Sequence, residues 1–236
     1  MTTDNRKKFK QPPSRYQPRG LTILYEDQDI IVVVKTAGLL TISTDRVKEK
    51  TVHFILNEYV KKGNSKSKSR IFIVHRLDRD TSGVLVFAKT EVAKRYLQDN
   101  WKEFHKTYFA VVHGNFNEKK GLITSYLTEN SVYRVYSTKD KEKGKLSTTG
   151  YKVIKESKNY SLLEINLLTG RKNQIRVHLS EKDHPVVGDK MYGDKGKGVK
   201  RLALHAASLT ILHPFSKEEM TFKTELPVFM KNILKN

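Results

Sequence analysis

The 236-residue chain contains no cysteine. That removes a thiolate nucleophile, Cys-ligated zinc or iron–sulfur centres, and any disulfide framework. No apolar run approaches the ~20 residues needed to span a bilayer. The first twenty residues, MTTDNRKKFKQPPSRYQPRG, have no apolar stretch after their basic residues and so do not read as a signal peptide. Acidic residues are few: 25 Asp+Glu stand against 45 Lys+Arg, a net charge of +20 with His neutral. Such an excess must be solvated or matched by an anion. The choices are a lysine-rich soluble surface or a nucleic-acid partner. The expectation is a cytoplasmic protein with no membrane role.

Residues 1–20 are rich in Lys, Arg, Gln and Pro, and predict a disordered basic arm. From Leu21 to the end the text is globular, one domain over 21–236. LTILYED and DIIVVVK predict two strands around a turn. Val52, Ile55, Leu56, Tyr59 and Val60 recur at helical spacing, as do Ala93, Tyr96, Leu97, Trp101 and Phe104. They predict helices over 51–61 and 91–104. Short strands are expected at IFIV (71–74), VLVFAK (84–89) and TYFAVVHG (107–114), then at GLITSYL, VYRVYS, YKVIKES and SLLEINLL. Residues 137–150 predict a long exposed loop, 171–182 a short helix, the end of 201–212 a strand, and PVFMKNILKN a closing helix. Consecutive strands without regular βαβ alternation argue an α+β fold: a mixed, largely antiparallel sheet core with flanking helices.

The stretch HRLDRDTSG (75–83) puts two carboxylates, Asp78 and Asp80, among arginines. Its start matches a calcium loop, but the position that needs a bidentate Glu is Lys89, and strand-like VLVFA intervenes. A metal site with His75 fares no better, because nothing nearby completes a ligand spacing and Arg76 and Arg79 compete for the acids. Two readings remain. Asp, Thr, Ser and Gly can simply build a turn. Or the loop, held between two buried strands, presents one carboxylate for chemistry, with arginines keeping it ionised and binding phosphate. An acid inside a basic groove repels an RNA backbone and makes little sense for binding, but it makes sense if it acts on something the RNA delivers, which favours the second reading.

HRLDRDTSGV is similar to the HRLD-x-x-TSG signature of the RluA-type pseudouridine synthases. KTYFAVVHG (106–114), TGRKNQIRVHL (169–179), HPVVGDKMYG (184–193), and RLALHA (201–206) with HP (213–214) resemble further motifs of that family, in its order, over about Leu21 to Pro227. The resemblance implies the pseudouridine synthase fold and an RNA isomerase that uses no cofactor and no metal. It cleaves the bond between ribose C1′ and uracil N1 and rejoins the base through C5, in ribosomal or transfer RNA. It implies Asp78 as the catalytic carboxylate, by addition to C1′ or by proton removal from C2′. Tyr108 is implied as the ring stacked on the target base, and Arg176 as the partner of the aspartate. Arg171 is a second candidate for that pairing or for phosphate. Arg76 is implied as a wedge for an extruded nucleotide, and Leu204 as pocket lining. Asp80 takes the turn role, and the histidines at 75, 178, 205 and 213 are structural.

The chain departs from the family at K-T-A-G (35–38), which is usually K-P-A-G, a change expected to loosen a turn. Asn173 stands where a histidine is usual, and is expected to be tolerated. An N-terminal S4-type RNA-binding domain is expected to be absent, so that RNA is held by a basic groove. KKGNSKSKSR (61–70), Lys141, Lys143 and Lys145, and GDKGKGVKR (193–201) are the candidate contacts. A monomer without an obligatory protein partner is expected. The competing reading is a non-catalytic RNA-binding or ribosome-assembly protein on the same fold.

Overall fold

The computed structural model describes residues 11–43, 49–193 and 199–235. Strand β1 (Leu21–Glu26) and strand β2 (Ile30–Lys35) close on an aspartate turn. The Asp27 carboxylate accepts the backbone N–H groups of Asp29 and Ile30, both at 2.8 Å. Helix α1 (Val52–Lys61) starts where the Thr51 hydroxyl accepts the Phe54 N–H and stops at Lys62 in the left-handed region. Then come β3 (Phe72–Ile73), β4 (Ser82–Ala88) and α2 (Glu91–Asp99), the helix capped by Thr90. The chain continues through β5 (His105–His113), β6 (Lys120–Glu129), β7 (Val135–Thr138), β8 (Lys145–Glu156) and β9 (Tyr160–Leu167). It closes with α3 (Gln174–Ser180), β10 (Leu204–Leu212), β11 (Glu219–Lys223) and α4 (Val228–Ile233).

These strands form one sheet in the order β1-β2-β4-β10-β5-β9-β8-β6-β7, with β11 on β10 and β3 on β4. Every pairing is antiparallel except β4 with β10, where Ser82 faces His205 and Gly83 faces Ala206. Gly83 (φ +122°) allows that pairing: a Cβ there would lie 2.2 Å from the Ala206 carbonyl oxygen. The α+β architecture read from the sequence is the one observed. No helix among the described residues is long and apolar enough to cross a membrane.

Two cores meet on one face of the sheet. Ile23, Val33, Leu56, Leu85 and Phe87 pack at the α1 end. Ala110, Leu163, Ile165, Leu179 and Leu204 pack at the α3 and α4 end. Tyr108 touches both, so it stands at their seam. A third cluster, with Val32, Val86, Ala93 and Leu97, lies under α2.

Several local expectations shift. The loop expected over 137–150 ends at Lys145, where β8 begins and pairs with β6. The misleading residues are polar, but Ser147 and Thr149 are buried, and Thr149 meets Gln174 and His178 of α3. Helix α2 ends at Asp99, leaving Trp101 and Phe104 on the turns that follow. β3 is two residues long, and β11 has no counterpart among the expected strands. Residues 1–10 of the expected basic arm lie outside the described residues. Its second half holds a 3₁₀ turn at Ser14–Tyr16, and Gln17 Oε1 accepts the Ile23 N–H at 2.8 Å.

Candidate active site

Asp78 lies on the loop between β3 and β4, which is fastened from three sides. The Thr41 hydroxyl donates to the Leu77 carbonyl at 2.7 Å and accepts the Leu77 N–H at 3.2 Å. Gly38 N–H donates to the Arg79 carbonyl at 2.9 Å. The Lys35 ammonium, with no exposed surface, donates to the carbonyls of Arg79 (2.8 Å), Leu39 (2.8 Å) and Thr36 (3.1 Å). Burial pushes its pKa down to about 8, against the pull of Asp80 and Asp78. At the K-T-A-G departure the threonine makes bonds of its own. Thr36 donates both its N–H and its hydroxyl to the Gly20 carbonyl, and a proline has no N–H to give.

The Asp78 side chain is partly exposed and lines a cavity of about 250 Å³. The cavity is lined by Arg76, Asp78, Tyr108, Arg171, Arg176 and Leu204, so all six residues singled out from the sequence converge there. Leu167, Ile175 and Leu204 make its apolar wall. The Tyr108 hydroxyl has no hydrogen-bond partner among the described residues. Burial, and then the charge of Asp78, hold it well above the ordinary phenol range. It is therefore a neutral phenol at physiological pH.

Arg176 reaches Asp78, as expected, but its shorter bonds go to other residues. Its Nη1 stands 3.5 Å from Asp78 Oδ2, an ion pair too long for a good hydrogen bond. Its closest contacts are elsewhere: Nε and Nη2 donate to the two oxygens of Asp189 at 2.6 and 2.7 Å, and Nη1 donates to Asn173 Oδ1 at 2.8 Å. The Tyr192 ring lies beneath the guanidinium at 5.1 Å. Asp189 is buried and also accepts the N–H groups of Met191 and Tyr192. Burial would raise its carboxyl, but Arg176 and those two amides outweigh it and hold the pKa below the usual carboxylate value. Burial would likewise depress Arg176, yet Asp189 first and then Asp78 keep it above the ordinary value.

Asp189 and Tyr192 were missed as functional residues. Both stand inside HPVVGDKMYG, where a buried aspartate two and three residues before backbone N–H groups it can accept reads as a turn. Its reach to α3 has no local signal. Asn173 suits its place: it precedes α3 with φ 54°, a left-handed position that Asn tolerates well, and its side chain, which makes no capping bond, accepts from Arg176 instead. Arg171 lines the cavity but makes no ion pair with Asp78 among the described residues. Asp80 forks onto Arg79 at the surface at 3.1 and 3.2 Å, away from Arg176. The histidines are tied into the fold. His75 accepts the Val86 N–H and stacks on Trp101 at 4.2 Å, and burial first, then Lys106, lower its pKa to about 3. His178 meets Ser125 and Thr149, His205 meets Ser82, and His213 meets Asp27.

Beside the cavity a larger groove of about 990 Å³ begins at Asp78 and Arg76 and runs between Arg134, Lys172, Lys190, Lys200 and Arg201. Of the three basic stretches picked out in the sequence, only the last supplies groove walls, through Lys200 and Arg201. Residues 194–198 of that stretch lie outside the described residues.

Residues 29–181 match the model of the RNA pseudouridylate synthase family. The chain is 34% identical over 226 residues to the ribosomal large subunit pseudouridine synthase D of Borreliella burgdorferi, covering 92% of this chain and 69% of that one. Among solved structures, human RNA pseudouridylate synthase domain containing 1 superposes with a TM-score of 0.70 at 28% identity, over 92% of this chain and 86% of the other. Human RNA pseudouridylate synthase domain containing 4 shares the fold, with a TM-score of 0.75 at 23% identity, over 90% and 91% of the two chains.

Proposed function

Since the chain belongs to the RNA pseudouridylate synthase family, and is thus an isomerase acting on RNA, we propose that it converts specific uridines of ribosomal or transfer RNA to pseudouridine with Asp78 as its catalytic carboxylate. One observation carries this reading: Asp78 sits where the small, partly apolar cavity opens into the basic groove. A strand lying in the groove through its phosphates presents one nucleotide to the cavity, and the carboxylate meets the sugar there.

The reaction is redox-neutral and internal to one nucleotide. The C1′–N1 bond breaks, the base turns, the C1′–C5 bond forms, C5 loses a proton and N1 gains one. Asp78 adds to C1′, or takes a proton from C2′ and returns it. Tyr108 and Leu204 hold the base; the neutral Tyr108 hydroxyl can donate a hydrogen bond to it, while the C5 proton passes to water and N1 takes one from water. Arg176 lends Asp78 charge without capping it, because its strongest bonds go to Asp189. Arg76 fills the stack left by the extruded nucleotide. The protein acts in the cytoplasm as a monomer, on an RNA related to that named for the Borreliella relative.

The test is a pseudouridine map of RNA from cells lacking this protein, after incubation with the purified chain. Wild type is expected to modify discrete uridines, and Asp78→Ala and Asp78→Asn to modify none while still binding RNA. An RNA pool left unmodified by wild type rejects the proposal. A phenotype rescued in full by Asp78→Asn would favour the ribosome-assembly reading instead.

A further inference from the structure

The hairpin tip between β6 and β7 carries a residue that folding does not call for. Asn130 organises the turn: its side-chain oxygen accepts the N–H groups of Val132 (3.2 Å) and Arg134 (2.9 Å), and its carbonyl accepts the Tyr133 N–H at 2.9 Å. Tyr133 occupies the left-handed position of this turn, with φ 61°. Gly or Asn takes that conformation at little cost, whereas an aromatic residue is strained there. The strain is not offset by burial, because Val132 and Tyr133 are each 74% exposed. Strain held at an exposed aromatic side chain points to a function.

The tip is also fixed against the groove. The Lys172 ammonium donates to the Tyr133 carbonyl at 3.2 Å, pairs with Glu129, and stands 5.4 Å from the centre of the Tyr133 ring. Lys172 and the neighbouring Arg134 are walls of the basic groove that leads to Asp78. The ring thus carries a groove cation beside it and is otherwise largely exposed, next to groove residues Arg134 and Lys172.

We propose that the exposed ring of Tyr133 is a stacking platform for an unpaired base of the bound RNA strand, distinct from the base in the cavity. The platform rests on the RNA-modifying reading above and adds a second point of attachment. The groove supplies phosphate contacts, which are blind to conformation. A stacked base fixes where along the strand the target nucleotide falls. Such stacking tolerates any base, since every base offers a π face.

The experiment is equilibrium binding of a fluorescein-labelled oligouridylate, and of an abasic ribose–phosphate strand of equal length, to wild type, Tyr133→Asn and Tyr133→Trp. Tyr133→Asn is expected to weaken oligouridylate binding roughly 5- to 150-fold. It should leave the salt dependence unchanged, because no phosphate contact is lost. Tyr133→Trp should bind as wild type does, and all three should bind the abasic strand equally. Because Asn relieves the strained turn, the Asn variant should melt no lower than wild type, which separates lost stacking from lost folding. Equal oligouridylate affinity in Tyr133→Asn overturns the platform, and so does an equal loss on the abasic strand. If wild type modifies cellular RNA while Tyr133→Asn binds unchanged, the platform alone fails; if wild type neither binds nor modifies RNA, both readings fail.

Discussion

Arg176 is forked onto Asp189 at 2.6 and 2.7 Å and stands 3.5 Å from Asp78. The arginine is thereby locked by a buried carboxylate outside the cavity lining, while the carboxylate in the cavity is held only by the longer ion pair. A bidentate lock on Asp78 would instead hold its oxygens in hydrogen bonds.

Exchanging Asp189 for Asn tests this division. The amide oxygen can still accept the Met191 and Tyr192 N–H groups, but its NH₂ then faces the guanidinium, and Arg176 turns to Asp78. Turnover is expected to fall about 100-fold with RNA affinity unchanged, since small misplacements at a reacting centre cost about that much. Single-turnover rates beside binding curves measure it. Asp189→Ala leaves Arg176 without its buried partner and should cost about 3–5 kcal/mol in urea unfolding. A variant with wild-type turnover would show the fork to be only structural.

Lys35 fastens the Asp78 loop through three carbonyls. Lys35→Met takes the donor from the Leu39 and Thr36 carbonyls, while Arg79 keeps the Gly38 N–H, an expected loss of about 1–3 kcal/mol at pH 7. The pH dependence has a definite sign. The folded pKa, about 8, lies below the ordinary 10.5, so between these values the unfolded chain binds more protons than the folded one. The stabilising difference is complete above pH 10.5 and is lost as pH falls through 8. Wild type should therefore gain on Lys35→Met as pH rises from 8 to 10.5, read from urea midpoints at each pH.

His75 and His205 are buried neutral, with pKa values lowered from 6.5 to about 3 and about 4. Burial is the main cause in both, reinforced by Lys106 and Arg201 respectively. Their contribution to stability is complete above pH 6.5 and declines as pH falls toward 4, since only the unfolded chain takes up protons there. Each such proton contributes a slope of about 1.4 kcal/mol per pH unit. Melting temperature should drop across this window, and His205→Asn, which can keep a bond to Ser82, should flatten the decline.

Gly83→Ala places a methyl 2.2 Å from the Ala206 oxygen at the sole parallel pairing among the described strands. The strands must separate, or the loop before β4 must shift with Asp78. The variant is expected to be destabilised by about 3 kcal/mol or more, with turnover lost even where it remains folded. Circular dichroism melts and single-turnover rates check the two effects. An active, equally stable variant would mean that the two strands can part without moving Asp78.

Much of the site was readable in the chain. Asp78, Tyr108, Arg176, Arg76, Arg171 and Leu204 lie in contiguous motifs, and the structure brings all six to one cavity. Helices α1 and α2 begin at Thr51 and Thr90, each accepting a first-turn N–H, a local signal. The loop expected over 137–150 failed because Ser147 and Thr149 look solvent-facing in sequence. Burial is possible only because α3 brings Gln174 and His178 to Thr149.

By itself the sequence determined what local chemistry can state: the strands and helices with clear periodicity, the aspartate turn at Asp27, the excess positive charge, and which residue types could react. Tertiary structure alone decided which charges meet. Asp189 stands thirteen residues beyond Arg176, and Tyr133 meets Lys172 only because β6 and β7 extend beside α3. Pairing of that kind depends on where packed elements leave two groups within a few ångströms, and the burial that strengthens the contact exists only once the cores on either side of Tyr108 have closed.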